Sequence, residues 1–243
     1  MTNVTDSVGT LPRNSALVIF DCDGVLVNSE PIANRILARA LTHEGYPCTF
    51  EESILRFVGR DLASIIDQVE GDLGRKLSDG FCERLRAETY AAFRKHLEPV
   101  SGISGALDRI LFPKCVASSG APEKIQLSLT VTGLRHHFGD ALFSTQQVHR
   151  GKPYPDLFLH AALQFDIRPH ACVVIEDSVP GVTGARAAGM KVFGYSGAEH
   201  VSSDLAHSLS QAGAEPFFEM DLLPGLLINY FRKCYEADCK NTG

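Results

Sequence analysis

No basic run, no C-x-x-C pair and no apolar stretch of bilayer length occurs in these 243 residues. Each absence excludes something. Nucleic acid or an acidic membrane surface calls for a concentrated positive face, and this chain carries a formal net charge of −6. Neither partner is expected. A cleft that binds an anion here must build its positive charge locally, from a cation, a lysine and backbone N–H groups. The seven cysteines, Cys22, Cys48, Cys82, Cys115, Cys172, Cys234 and Cys239, are odd in number and scattered, poor material for a disulfide framework. Reduced thiols in a cytoplasmic protein are the expectation. The opening residues lack the apolar core of a signal peptide, and nothing is long enough to span a bilayer. No internal repeat or low-complexity stretch is visible.

What the chain does have is ordinary globular composition, 44% hydrophobic and 21% charged, enough for one full core and a modest second domain. Residues 1–14 and 236–243 read as polar tails. Between them, short apolar runs alternate with helical patterns. ALVIF (Ala16–Phe20) suits a strand buried on both faces and stops at DCDG. KCVAS, ending at Ser118, leads into SGAPEK, which opens a helix. ALFS (Ala141–Ser144) precedes the turn HRGKPYPD. ACVVIEDS (Ala171–Ser178) leads into a helix with Pro180 near its start and Gly189 past its end. MKVFGY (Met190–Tyr195) is a further strand. This alternation predicts an α/β fold with a parallel, Rossmann-like sheet.

One stretch interrupts the pattern. From Pro31 onward Ile32, Ile36, Leu37, Ala40 and Leu41 share a helical face, with Gly45 as the stop. FEESILRFVG, DLASIIDQVEGDLG and FCERLRAETYAAFRKH keep the helical period. The expectation is a small all-helical domain over residues 31–97, inserted into a core made of residues 15–30 and 98–235.

In an open parallel sheet, ligands bind at the carboxyl ends of the strands. Asp21 and Asp23, Ser118, Lys152, and Glu176 with Asp177 all fall at or just beyond such ends. Each has a bland alternative. An Asp-x-Asp-Gly is often only a turn, a turn lysine is usually solvated, and Ser118 or Glu176–Asp177 could cap the helix that follows. The ordered set of four strand ends decides for chemistry. Crowded carboxylates repel one another unless a cation sits among them. An all-oxygen donor set selects a hard divalent ion, and Mg²⁺ binds through one or two carboxylates plus a phosphate. Other clusters carry less. Cys22 is expected to point into the core, and the neighbours His136 and His137 to face different sides of a helix, forming no metal site.

DCDGVLVNSE, VASSG, GKPYPDLF and VVIEDSVPGVTGARAAGM, spanning about Leu17 to Tyr195, resemble in order the four motifs of the haloacid dehalogenase superfamily. Within it the chain is similar to the helical-cap branch that holds beta-phosphoglucomutases and sugar-phosphate phosphatases. The resemblance implies a cap between the first two motifs and a Mg²⁺-dependent phosphatase acting on a small phosphorylated metabolite; a monomer is the default expectation, with the oligomeric state left open. It implies a nucleophile at Asp21, an acid/base at Asp23, and Lys152 and Ser118, with Ser119 beside it, on the phosphoryl oxygens. Asp21, Asp177 and the backbone carbonyl of Asp23 would hold the metal, with Glu176 either a ligand or a partner of the ligands. Apart from the resemblance, Arg60 in the block's FVGRDL could reach down to the substrate, although a surface position is the commoner fate of such an arginine. Asn28 stands where relatives commonly carry Asp, without consequence for the chemistry.

Three alternatives have sequence-level tests. A phospho-aspartate switch lacks a cap and does not place the nucleophile after the first strand with an aspartate two residues on. Dehalogenases and phosphonate hydrolases differ at the position of Asp23, where an acid points to phosphate esters. In the mutases a hinge histidine restrains the acid/base, and the aligned position here is Ala33, whose methyl group forms no hydrogen bond. Hydrolysis of a sugar phosphate or sugar-acid phosphate is therefore favoured over phosphosugar isomerisation.

Overall fold

A computed structural model describes residues 16–57, 60, 62–198 and 203–241, with the side chains of the last helix described as far as 236. The N-terminal stretch read as a tail lies outside them. Six strands, β1 (Leu17–Phe20), β2 (Lys114–Ser118), β3 (Leu142–Ser144), β4 (Cys172–Glu176), β5 (Lys191–Tyr195) and β6 (Glu215–Phe217), form one sheet. Their order is β3-β2-β1-β4-β5-β6 and every pairing is parallel.

The apolar runs fold this way because a strand alternates its side chains between two faces, and both faces here are covered. Val18, Phe20, Val116, Val173 and Ile175 enter one buried cluster, while Leu17, Ile19, Cys115, Ala117 and Val174 enter the other. Ten α-helices are described. Four lie between β1 and β2: α1 (Glu30–His43), α2 (Phe50–Phe57), α3 (Leu62–Leu73) and α4 (Phe81–His96). The others are α5 (Ile103–Arg109), α6 (Pro122–Val131), α7 (Asp156–Gln164), α8 (Val179–Ala187), α9 (Ser203–Gln211) and α10 (Leu223–Asn241). Helices α5, α6 and α10 cover the first face, and α7, α8 and α9 the second. None of the described helices is long and apolar enough to cross a membrane.

The first four helices share a core of their own, built from Ile36, Leu37, Leu41, Phe57, Ile65, Val69, Phe81 and Leu85. The chain leaves for this block and returns from it along adjacent paths. Asn28 N–H donates to the Glu98 carbonyl and Val100 N–H to that of Leu26, both at 3.0 Å. Phe93 of α4 does not join the block's core; it is 1% exposed and packs in the main cluster beside β1.

Two features depart from the sequence reading. Strand β6 has the short, Pro-containing sequence EPF at the sheet edge, where a proline is tolerated because one side needs no hydrogen bonds. Residues 236–241, read as tail, continue α10. That helix is anchored by buried Leu223, Leu227 and Phe231, and extending an established helix fixes only one residue per new hydrogen bond.

Because Phe93 joins the helical block to the main core, Phe93→Ala is expected to cost about 3–5 kcal/mol. Urea unfolding measures it, and a loss below about 1 kcal/mol would show that this contact does not hold the two parts together.

Candidate active site

The strand order reverses direction between β1 and β4, and the crevice of a doubly wound sheet opens at such a switch point. Register fixes who meets there. Phe20 pairs with Ile175 and Val116, and Asp21 N–H donates to the Ile175 carbonyl at 2.9 Å. Asp21 therefore lies beside Glu176 and Asp177. After Asp21 the backbone folds back on itself: Leu26 and Val27 N–H both donate to the Cys22 carbonyl. Gly24 sits at φ +77°, a conformation that costs a residue without Cβ nothing. Cys22 is buried in the core, as its position between the aspartates requires.

One carboxylate oxygen each from Asp21, Glu176 and Asp177 lies within 4.8 Å of the other two. Lys152 reaches into this group from the turn before α7, its Nζ 2.7 Å from Asp21 Oδ1 and 2.6 Å from Glu176 Oε1. All three side chains of this ion-paired set are nearly buried, at 5% exposure for Lys152, 10% for Asp21 and 0% for Glu176. Burial pushes Asp21 well above the ordinary carboxylate range. Lys152 opposes that, and the charges of Glu176, Asp177 and Asp23 reinforce it. Burial alone would lower Lys152, but the Asp21 and Glu176 carboxylates more than offset it and hold the ammonium charged. Three carboxyl groups converge beside one ammonium, an acidic set made wholly of oxygen donors. A hard divalent cation fits that donor set.

Glu176 has little left to offer a ligand. Its Oε1 accepts from Lys152, and its Oε2 accepts from Asp177 N–H at 2.9 Å, Ser178 N–H at 2.8 Å and Ser178 Oγ at 2.9 Å. Ser178 Oγ in turn caps α8 by accepting from Gly181 N–H at 3.2 Å. The start of a helix favours such a nearby anion.

Asp23 is held from two sides. Ser29 Oγ donates to its Oδ1 at 2.6 Å, and Lys124 Nζ to its Oδ2 at 2.8 Å. Burial would raise its pKa, but the charge and hydrogen bond of Lys124, with the Ser29 hydroxyl, leave it lowered. Neither partner stands out in the sequence. Ser29 looks like the cap of α1 but makes no capping bond. Lys124 lies in the first turn of α6, the helix that opens just after Ser118, and that placement was the available signal. Its ammonium also sits over the Phe93 ring, 5.8 Å from the centroid.

The remaining candidates separate. Ser118 is 1% exposed at the end of β2 and accepts from Gly120 N–H at 3.1 Å. The loop beyond it is tied down from β3 and the turn after it, by Ser144 Oγ to the Gly120 carbonyl at 2.7 Å and Thr145 Oγ1 to the Ser119 carbonyl at 3.2 Å. Ser119 itself is exposed. Arg60 is exposed as well, and its guanidinium is turned onto its own block, bonding Gln68 Oε1 and the Ser64 carbonyl. Ala33 is half-buried in the first turn of α1, where its N–H donates to the Ser29 carbonyl.

Gly181 shows how tightly the acidic wall is packed. A Cβ there would lie 1.7 Å from Glu176 Oε1 and 2.0 Å from its Cδ. Gly181→Ala must displace the carboxylate that holds Lys152, so a destabilisation of about 1–3 kcal/mol is expected together with a loss of catalytic rate. Thermal unfolding and turnover by the same preparation measure both, and a variant with unchanged rate would mean that Glu176 can move without disturbing the site.

Comparison with known proteins agrees with this geometry. A family model described as haloacid dehalogenase-like hydrolase matches residues 18–195. The chain is 38% identical over 177 residues to the 6-phosphogluconate phosphatase of Escherichia coli (strain K12), covering 72% of this chain and 80% of that one. Among solved structures, a conserved haloacid dehalogenase-like protein from Agrobacterium tumefaciens superposes with a TM-score of 0.79 at 38% identity, covering 89% of this chain and 99% of the other. A haloacid dehalogenase family hydrolase from Deinococcus radiodurans, solved with bound phosphate and sodium, gives 0.71 at 29% identity, covering 87% and 94%. With the family match spanning the sheet from β1 to β5 and every motif on a strand end, the chain belongs to the haloacid dehalogenase-like hydrolases.

Proposed function

We propose that the protein is a Mg²⁺-dependent phosphatase that hydrolyses a small phosphorylated sugar or sugar acid through an aspartyl-phosphate on Asp21. The observation that carries this reading is the buried Asp21 carboxylate at the switch point, paired to Lys152 at 2.7 Å, with Asp23 two residues on. The substrate class draws on the likeness to a 6-phosphogluconate phosphatase.

A phosphate of charge about −2 at roughly 4 Å from a carboxylate is repelled by some 8 kcal/mol at an effective dielectric near 20. Mg²⁺ bound by Asp21, Asp177 and the Asp23 carbonyl would supply the neutralisation that such an encounter needs. Lys152 and Ser118 bind the phosphoryl oxygens. An Asp21 oxygen attacks phosphorus, the ester P–O bond breaks, and Asp23 gives its proton to the departing alkoxide. Asp23 then takes a proton from the water that cleaves the aspartyl-phosphate. Lys124 and Ser29 engage both of its oxygens and lower its pKa, so it must part from Lys124 and take up a proton from solvent before it can protonate the leaving oxygen; the proton it later takes from the attacking water serves the next turnover. Glu176, whose oxygens are already occupied, is a positioning residue that holds Lys152 rather than a metal ligand. Ser119 and Arg60 have no part in these steps. Ala33 leaves the acid/base without the restraint of a histidine, which favours water over a second sugar as acceptor.

Phosphate release from 6-phosphogluconate and a panel of hexose and hexitol phosphates tests the proposal. Turnover is expected with Mg²⁺, is expected to vanish with a chelator, and is expected to fall at least about a thousandfold in Asp21→Asn while the fold is kept. Full activity after exhaustive metal removal, or in the folded variant, would overturn it, as would glucose 6-phosphate forming from glucose 1-phosphate faster than free phosphate.

A further inference from the structure

A further group of side chains able to ligate a metal lies apart from the acidic cluster. Asp108 on α5 meets His136 and His137, which form the 3₁₀ turn Arg135–His137 that follows α6. A regular helix would send adjacent histidines to different sides, the expectation for this pair. The 3₁₀ turn instead brings their rings together, with centroids 3.9 Å apart and planes inclined by 38°. One donor atom from each of Asp108, His136 and His137 lies within 4.8 Å of the other two.

Several details favour a cation over an ion pair or simple ring stacking. His137 Nε2 is 3.8 Å from Asp108 Oδ1, too long for a hydrogen bond. A cation with bonds of about 2.0–2.2 Å to imidazole nitrogen and carboxylate oxygen spans that gap with both atoms in place. His136 Nδ1 donates to the Gly133 carbonyl at 2.8 Å, which leaves the lone pair on Nε2. Metal-ligating imidazoles are commonly fixed by such a bond from the other nitrogen. The turn is anchored by Leu134 and Phe138, 1% and 4% exposed, while Asp108 and His136 are exposed and free to adjust by the small rotations that closure needs. Lys114, which acts on His137, donates its Nζ to the Ile110 carbonyl at 2.8 Å, and Arg135 in the same turn pairs with Asp140 at 3.0 Å.

We propose that Asp108, His136 and His137 form a surface site for a borderline divalent cation of the Zn²⁺ or Co²⁺ type. Two imidazoles and one carboxylate suit these metals, whereas Mg²⁺ prefers oxygen donors throughout. The donor chemistry therefore separates this site from the all-oxygen cluster at the switch point. A cation here joins α5 to the turn after α6 and stabilises the folded state by mass action. Its remaining positions face solvent.

The experiment titrates the full-length protein, in saturating Mg²⁺, with Co²⁺ followed by visible absorption and with Zn²⁺ followed by calorimetry. The wild type is expected to take up Zn²⁺ and to give a Co²⁺ spectrum with nitrogen ligation. Asp108→Asn and His136→Gln, both at exposed positions, are expected to weaken Zn²⁺ binding at least about tenfold while Mg²⁺-dependent turnover stays at the wild-type level. Wild-type Zn²⁺ affinity in either variant, or no uptake by the wild type, would overturn the site.

Discussion

The two ion pairs of Lys152 hold the active centre in its shape. A lysine buried to this degree is stable only because Asp21 and Glu176 flank it at 2.7 and 2.6 Å. Removing either partner would strand a charge away from water, a change that typically costs several kcal/mol. Everything else about the centre is arranged to keep this triad together. The parallel register sets Asp21 beside Glu176. Glu176 is locked by Ser178 and the start of α8, and Gly181 leaves room for its carboxylate where any side chain would not. The same crowding brings three carboxyl groups together, an oxygen-donor set that a hard divalent cation fits.

Asp23 ties that centre to the helical block. Its two hydrogen-bond donors come from opposite directions: Ser29 at the start of α1 and Lys124 from α6. Lys124 lies over Phe93 of α4, and Phe93 is embedded in the main core. The side chain assigned the proton transfers is thus gripped by residues whose placement depends on how the helices between β1 and β2 meet the sheet. Any shift of α1 or α4 relative to the sheet changes the two bonds that hold Asp23.

Much of this was legible in the chain because the strands are buried on both faces, so that ALVIF, KCVAS and CVVIE read as unbroken apolar runs ending in polar residues. Strand ends then placed Asp21, Ser118, Glu176 and Asp177 together without any knowledge of contacts. Other features were not legible. Strand β6 gains its place from a free sheet edge and from buried Phe217, and EPF has no pattern of its own. The last turns of α10 inherit their helicity from apolar anchors upstream. The roles of Ser29 and Lys124 depend on side-chain direction, which spacing does not carry, and the same holds for Arg60, which folds back onto Gln68. The meeting of His136 and His137 arises because a 3₁₀ turn replaces the helix their spacing was read on.

The central claim is that the Asp21 carboxylate becomes covalently phosphorylated during turnover. Millisecond mixing of the Mg²⁺-loaded protein with its best phosphorylated sugar substrate, acid quenching and peptide mapping by mass spectrometry address it directly. The account predicts a transient phosphoryl group on the peptide containing Asp21, forming before free phosphate and decaying as phosphate appears. A phosphoryl group mapped to another residue, or phosphate released in the first turnover with no covalent species, would contradict it.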